Sequence, residues 1–453
     1  MLDAAKIDQQ ASPPATDDRN DTSGLHAWTV VLLLTAIQVV SYLDRFLPSL
    51  LLQPIKLSLG LTDFQVGLLL GPAFAVFYVF VGVPLGWLAD HYSRRGILAF
   101  GITIWCTMTA AAAAAFSFIP LFICRLGVGL GEATVGPCAV SIISDLFEQR
   151  KRARALSIFM AGSFIGAGSA FLFGGPLVHF LASMPPLFPG MLPWQTAFLV
   201  IGPIGYLLAL SMMFIREPKR REIMPDASGR VDGSLLGALH YMRTRWRGFG
   251  ALFVGSGCVV TLGATTLWNV ALFNRVWGWD VSMVGSATGV LYFTGGPLGT
   301  VLGIFLTQYF IKQGYPSPTL RVLLIGLMLS VPGFALFPIM PDVGFALAGL
   351  FLAFTGQAMA TAAGPASLMY LVPGQIRSQA TAIYYLVIGV MGQILGPPPV
   401  GWMADLFGDP KALRFAISIE VICVGIPAIT LVYLGLTAFS RHAAEIGGTA
   451  QHE

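Results

Sequence analysis

Four charged residues stand inside apolar stretches of this chain. Asp44 and Arg45 are neighbours in the run Trp28–Leu52, and Arg125 and Glu132 share the run Leu121–Ile143. A charge in the middle of a hydrocarbon layer costs about 3 kcal/mol on insertion scales, so such residues pair with one another and by default mark binding or proton transfer. Arginine offers a planar fork of donors that fits a phosphate or carboxylate. A buried carboxylate beside it feels burial, which favours its neutral form, and the arginine, which favours its charge. That balance lets the carboxylate and an anion compete for one arginine, with a proton deciding between them. Arg125 and Glu132 are seven residues apart, two helical turns on one face and about 10 Å apart in depth. Asp44 and Arg125 come out at similar depth, on helices running in opposite directions. The plain alternative is a set of fixed ion pairs. The chemistry-bearing reading makes Asp44, Arg45, Arg125 and Glu132 a candidate polar site.

The elements that must position these residues are long apolar helices. Of 453 residues, 55% are hydrophobic and 11% charged, against about 25% charged in an ordinary soluble domain. Such a chain has no way to hide its apolar surface in water, whereas a bilayer accepts all-round apolar helices. Stretches long enough to cross about 30 Å of hydrocarbon recur throughout. They are Trp28–Leu52, Phe64–Leu88, Ile97–Phe118, Leu121–Ile143, Ala155–Leu181 and Thr196–Ile215. After a polar gap come Phe249–Phe273, Met283–Phe310, Leu320–Met340, Val343–Tyr370, Ala380–Leu406 and Phe415–Phe439. The expected fold class is an all-α membrane protein with twelve transmembrane helices in two six-helix bundles. The five cysteines lie in apolar runs without a CxxC pair and read as packing residues.

Charge orients the helices. An even number of crossings puts both termini on one side, and that side holds 20 of the 26 lysines and arginines. The opposite side holds Lys56, Arg275, Lys411 and Arg414, and Arg45 and Arg125 lie within spans. By the positive-inside rule both termini are cytoplasmic, and the expected location is the cell membrane, a bacterial inner membrane included. Residues 1–27 read as a disordered tail, 28–215 and 249–439 as the bundles, 216–248 as a basic linker lying against anionic lipid, and 440–453 as a second tail. A repeat supports the halving. Arg152-Ala153-Arg154-Ala155-Leu156-Ser157-Ile158 and Arg377-Ser378-Gln379-Ala380-Thr381-Ala382-Ile383 stand 225 residues apart at the same end of helices 5 and 11.

The cytosolic end of helix 2 carries Gly86-Trp87-Leu88-Ala89-Asp90-His91-Tyr92-Ser93-Arg94-Arg95. Gly86 permits close helix contact, Asp90 can cap a facing helix N-terminus, and Arg94 and Arg95 can bridge to carboxylates, so the segment reads as a latch between helix groups. It resembles the signature loop of the major facilitator superfamily, with His91 and Ser93 in place of the usual Arg and Gly. Gly401-Trp402-Met403-Ala404-Asp405, at the external end of helix 11 and without an arginine pair, reads as a chance copy. Glu420 in helix 12 receives no role. Asn269, Gln357 and Gln393 are uncharged and can line a cavity or bond across helices. The presumed cavity therefore has one charged wall and one mainly apolar wall offering Trp268, Tyr292, Phe293 and Tyr370.

A closer resemblance lies in Tyr42-Leu43-Asp44-Arg45, Gly67-Leu68-Leu69, Arg125 through Glu132-Ala133, and Ile142-Ile143-Ser144-Asp145-Leu146-Phe147. These residues resemble the spinster family. That resemblance implies a proton-coupled secondary transporter of lysophospholipids or sphingosine-1-phosphate, with Asp44, Arg45, Arg125 and Glu132 binding the head group and coupling. Arginines facing an apolar wall suit an amphiphile with an anionic or zwitterionic head. The alternative is a proton-coupled symporter of a small organic anion such as a sugar acid, since the anion:cation symporter family also shows Y-x-D-R and R…G-E. An enzyme would need a nucleophile with a base, or a metal cluster. The six histidines are scattered, and no phosphate-cradling Gly-Lys-Ser/Thr loop occurs. A membrane sensor would add a long soluble domain. The expectation is a monomer that uses protons, a lipid bilayer and an amphiphilic substrate, with no cofactor, no metal and no nucleic acid.

Overall fold

Every regular element among the described residues is helical. The computed structural model describes residues 22–215, 217–218, 235–372 and 376–449. Among these residues twelve helices are long and apolar enough to cross a membrane. They are α1 (Gly24–Leu50), α2 (Asp63–Gly82), α3 (Arg94–Ala112), α4 (Phe118–Leu146), α5 (Arg154–Ser183) and α6 (Pro193–Met213). The second set is α7 (Trp246–Trp277), α8 (Val281–Lys312), α9 (Pro318–Ile339), α10 (Val343–Leu371), α11 (Gln379–Phe407) and α12 (Pro410–Ala444). The start of α1 and the end of α12 share one end, called here the near end. The loops after α1, α3, α5, α7, α9 and α11 lie at the far end.

Local sequence sets the helix starts. At the far end Thr62 opens α2 with a capping box: its hydroxyl accepts from the Gln65 N–H, and the Gln65 side chain accepts from the Thr62 N–H. Asp280 caps α8 and Asp342 caps α10 in the same sense, each accepting a first-turn N–H at 2.8 and 2.7 Å. Short turns join consecutive helices. Gly278 closes α7 in the left-handed region (φ 71°), where a side chain would be strained.

Two glycine-lined seams join the six-helix halves. Along α5 and α8, a Cβ on Gly175 would come 2.6 Å from the Val281 carbonyl oxygen, and one on Gly285 would come 2.4 Å from that of Phe171. Along α2 and α11, Gly67 and Gly71 lie against Pro397 and Gln393, with a Cβ leaving only 2.7 and 2.4 Å to their carbonyl oxygens. Backbones that close replace the hydrophobic drive that lipid does not supply. Several helices are interrupted near mid-depth. α2 breaks at Gly71, α7 passes through a 3₁₀ turn at Thr266–Trp268, and α11 widens into a π turn at Val390–Ile394. Such breaks free backbone groups and occur in membranes where protein or a cavity receives them.

Helix also extends beyond the expected bundles at two places. The last helix continues as Leu413–Thr449, so residues 440–449 extend it where a tail was expected. The stretch between the halves carries a short helix, Leu235–Thr244. Residues 1–21, 216 and 219–234 lie outside the described residues, and with them most of the expected first tail and of the basic linker.

Candidate functional site

The four intramembrane charges converge, in crossed pairs. Asp44 on α1 is 2% exposed and sits opposite Arg125 on α4, with 3.9 Å between Oδ2 and Nη1. Arg45 reaches the other way and donates from Nη2 to Glu132 at 3.0 Å. Adjacent residues on α1 project about 100° apart, so each arginine meets the carboxylate of the other helix. The glycines of α4 make this possible. A Cβ on Gly129 would fall 2.0 Å from the Phe74 carbonyl oxygen, and one on Gly131 would fall 2.4 Å from that of Gly101, so α4 is pressed between α2 and α3.

A hydroxyl meets each carboxylate, though Oε1 of Glu132 stays without a partner. Thr109 on α3 faces both oxygens of Asp44, at 2.9 and 3.0 Å, and Ser41 donates to Glu132 at 2.6 Å. A hydroxyl both donates and accepts, so it can remain bonded whether its carboxyl group is charged or protonated. Both arginines keep an unpartnered Nε, but their surroundings differ. The Arg45 guanidinium lies 4.5–4.6 Å from the ring centroids of Tyr42, Phe74 and Tyr78 besides pairing with Glu132. Those rings stabilise it by cation–π attraction and hold it in place. Arg125 is 3% exposed, and its Nε and Nη1 have no hydrogen-bond partner. Arg125 also borders a narrow gap of about 20 Å³ toward the far end, otherwise apolar and walled by residues such as Pro48, Leu69, Leu121 and Phe198. An arginine with unused donors at the edge of an apolar gap can receive an anionic group.

The opposite wall is aromatic, with a different membership than expected. Tyr292 stacks on Phe171 of the first half (5.7 Å between centroids, planes 10° apart) and packs on Phe354 at 4.4 Å, with Phe46 joining them. This group bridges the halves beside Arg45, whose next residue is Phe46. Trp268, expected on that wall, is fully buried, and Phe293 and Tyr370 are more than a third exposed. Gln357 reaches the Val259 carbonyl oxygen, at 3.5 Å. Asn269 is buried with both amide atoms unpartnered. Glu420 is buried too, with one carboxylate oxygen unpartnered.

At the near end Arg94 and Arg95 make a dense set of bonds. Arg94 is 1% exposed and donates to Asp145, to Ser141 at 3.0 Å, to Glu217 at 3.0 Å and to the Pro218 carbonyl oxygen at 2.8 Å. Arg95 donates to the carbonyl oxygens of Met213 and Ile215. All these partners belong to the first half or the chain just beyond it, so the two arginines clamp α3 to the ends of α4 and α6. Gly86 and Asp90 lie in the last turns of Pro72–His91, and their surroundings are outside the described residues.

Glu217 is the residue that sequence reasoning missed at this clamp. It accepts from the Ser93 hydroxyl at 2.6 Å and from the backbone N–H of Arg94 and Arg95 at 2.8 and 3.2 Å, and so sits on the N-terminus of α3. Partial burial raises its carboxyl, but the bonds from Ser93 and Arg94 outweigh this and hold it below the usual value of 4.5. A lowered carboxyl stabilises the fold above its ordinary value and loses that effect as pH falls through the lowered one. Glu217→Gln should therefore lower the melting temperature at pH 6 by about 2 °C, and the difference from the parent should vanish as pH drops below 4.5. A pH series of thermal melts in detergent checks this.

Two six-helix halves, a charged site in the first and an aromatic seal against the second form a known architecture. The sequence profile of the Major Facilitator Superfamily matches residues 34–397. The chain belongs to this superfamily. This superfamily transporter is similar to an MFS-type efflux pump of Mycolicibacterium smegmatis, 25% identical over 95% of this chain and 97% of that one. It is similar to the protein spinster of Drosophila melanogaster, 28% identical over 87% of this chain and 65% of the relative. A probable L-galactonate transporter of Escherichia coli is 26% identical over 68% of each chain. Among solved structures, it shares its fold with a bacterial homolog of the human lysosomal transporter spinster in an inward-facing, unoccupied conformation. The TM-score is 0.75 at 24% identity, covering 92% of this chain and 97% of that one. The superfamily and the fold make this chain a transporter, not an enzyme.

Proposed function

We propose that this transporter is proton-coupled and moves an amphiphile with an anionic or zwitterionic head, of the lysophospholipid or sphingosine-1-phosphate type, by alternating access. The observation that carries the reading is Arg125, buried, held by Asp44 only at 3.9 Å, and bordering an apolar gap with two donor nitrogens unused. Asp44 ionised holds Arg125; Asp44 protonated on Thr109 releases the fork to the head group. Glu132 is a second acceptor whose charge helps expel the head. Arg45, caged by three rings and paired with Glu132, keeps that carboxylate in place and contacts substrate from its exposed edge. The similarity to spinster proteins supports this substrate class.

A small organic anion is the second reading, supported by the similarity to the probable L-galactonate transporter. Purified protein in liposomes with an imposed pH gradient separates the two. A radiolabelled lysophospholipid should accumulate against its gradient while a sugar acid stays at the level of empty liposomes. Accumulation of the sugar acid alone would replace the first reading with the second.

We also propose that the protein sits in the cell membrane with both termini cytoplasmic, the orientation favoured by its basic residues. Single cysteines in the 216–247 stretch should label only from the cytoplasmic side, and those at 185–193 only from outside. The opposite labelling pattern would reverse the topology.

A further inference from the structure

The far end holds a cluster of charges outside the site described above. Asp63 opens α2 in the first half, and Arg275 lies near the end of α7 in the second. Arg275 grips Asp63 with both arms of its fork, Nη1 to Oδ2 at 2.8 Å and Nη2 to Oδ1 at 2.7 Å. Both side chains are 6% exposed. Gln53 of the first half, with its amide oxygen assigned toward Arg275, accepts from Nε at 2.6 Å. Asp63 has one further cation, Lys56 of its own half, at 2.6 Å.

Asp405, in the pentapeptide taken from sequence as a chance copy, adds a second tie. Its Oδ1 accepts from the Asp63 N–H and its Oδ2 from the Phe64 N–H, both at 2.8 Å. The orphan donors at the N-terminus of α2 are thereby accounted for. Thr62 takes those of Gln65 and Val66, and the remaining two are taken from across the interface. A carboxylate on a helix N-terminus is charge-assisted and favoured by the helix dipole. Gly401, four residues earlier, permits the approach, since a Cβ there would lie 2.2 Å from the Asp63 carbonyl oxygen. Gln393, Pro397 and Gly401 on α11 thus face Gly71, Gly67 and Asp63 on α2, with a spacing of four on each helix. A register this regular, with a capping carboxylate at its outer end, is a built contact.

We infer that Asp63, Arg275 and Asp405 form a latch that holds the two halves closed at the far end and must break for the site to open there. Lys56 makes the latch reversible. When Arg275 and Asp405 withdraw with the second half, Asp63 keeps a cation from its own half, and Asp405 passes to water at an exposed helix end. Lys56 therefore favours the far-open state relative to a chain without it, whereas Arg275 and Asp405 favour the far-closed state. The inference rests on alternating access, but not on the identity of the substrate.

The test is a pair of interspin distances measured by pulsed electron resonance on the full chain in nanodiscs, without substrate and in a background lacking the native cysteines. Labels at Leu187 and Phe345 read the far end, and labels at Lys151 and Tyr315 read the near end. Asp405→Ala and Arg275→Gln should each raise the far-open to far-closed ratio about tenfold, lengthening the first distance while shortening the second. Asp405→Asn, which keeps one acceptor oxygen and the helix end intact, should fall between. Lys56→Gln should move the ratio the opposite way. Wild-type distributions in Asp405→Ala, Asp405→Asn and Arg275→Gln alike would overturn the latch. So would a shift of Lys56→Gln in the same direction as Arg275→Gln. A lysolipid that fails to be transported, together with these shifts, would remove the substrate reading and leave the latch standing.

Discussion

Asp44→Asn should reduce pH-gradient-driven accumulation to the level of empty liposomes while leaving substrate binding measurable. Asparagine keeps the shape and can still bond Thr109, so the packing of α1 on α3 is retained, but it neither gains nor loses a proton. Arg125 is then permanently free of its charged partner. Binding of the anionic head should lose most of its pH dependence, because that dependence arises from competition between the head and Asp44 for one guanidinium. Flow down a substrate gradient should persist. Uphill accumulation by Asp44→Asn under a pH gradient alone would transfer the coupling role to Glu132, which holds Ser41 and Arg45 in a parallel arrangement.

Arg125→Lys should weaken binding of a phosphate-bearing lysolipid about tenfold, or about 1.4 kcal/mol, although the charge is unchanged. A lysine ammonium is a point charge on a flexible stem and cannot present two parallel donors to one phosphate. Arg125→Ala should cost more, about 2–5 kcal/mol, because it also leaves Asp44 buried with Thr109 as its one polar contact at hydrogen-bond distance. Titration calorimetry on both variants checks the order. Full affinity in Arg125→Lys would make Arg125 a structural counter-ion of Asp44 and move the head-group role to Arg45.

The sequence carried the helix count and the convergence of the four charges, because both depend on one-dimensional quantities: apolar run length and depth along a helix axis. Asp44 and Arg125 match in depth, and in three dimensions they face each other. What depth cannot give is rotation about the axis. The crossed pairing of Arg45 with Glu132, the shared hydroxyl of Thr109 and the rings of Phe74 and Tyr78 around Arg45 all follow from how α1, α2, α3 and α4 turn toward one another. Trp268 shows the same limit, since its position on α7 suits a cavity wall while its rotation buries it. Glu217 was obscured by the arginines and lysines around it, which suggested a lipid-facing loop. Asp405 has no arginine pair that would mark it. Its actual partners are backbone N–H groups, which leave no trace in the sequence.

The central claim is that protonation of Asp44 and capture of an anionic head by Arg125 are one event. The most direct measurement is proton exchange on binding, read with a pH-sensitive dye as an anionic lysophospholipid is added to purified protein in weak buffer. The account predicts uptake of about one proton per bound lysolipid in the parent protein and none in Asp44→Asn. Equal uptake in the two proteins, or binding by the parent without any uptake, would contradict it.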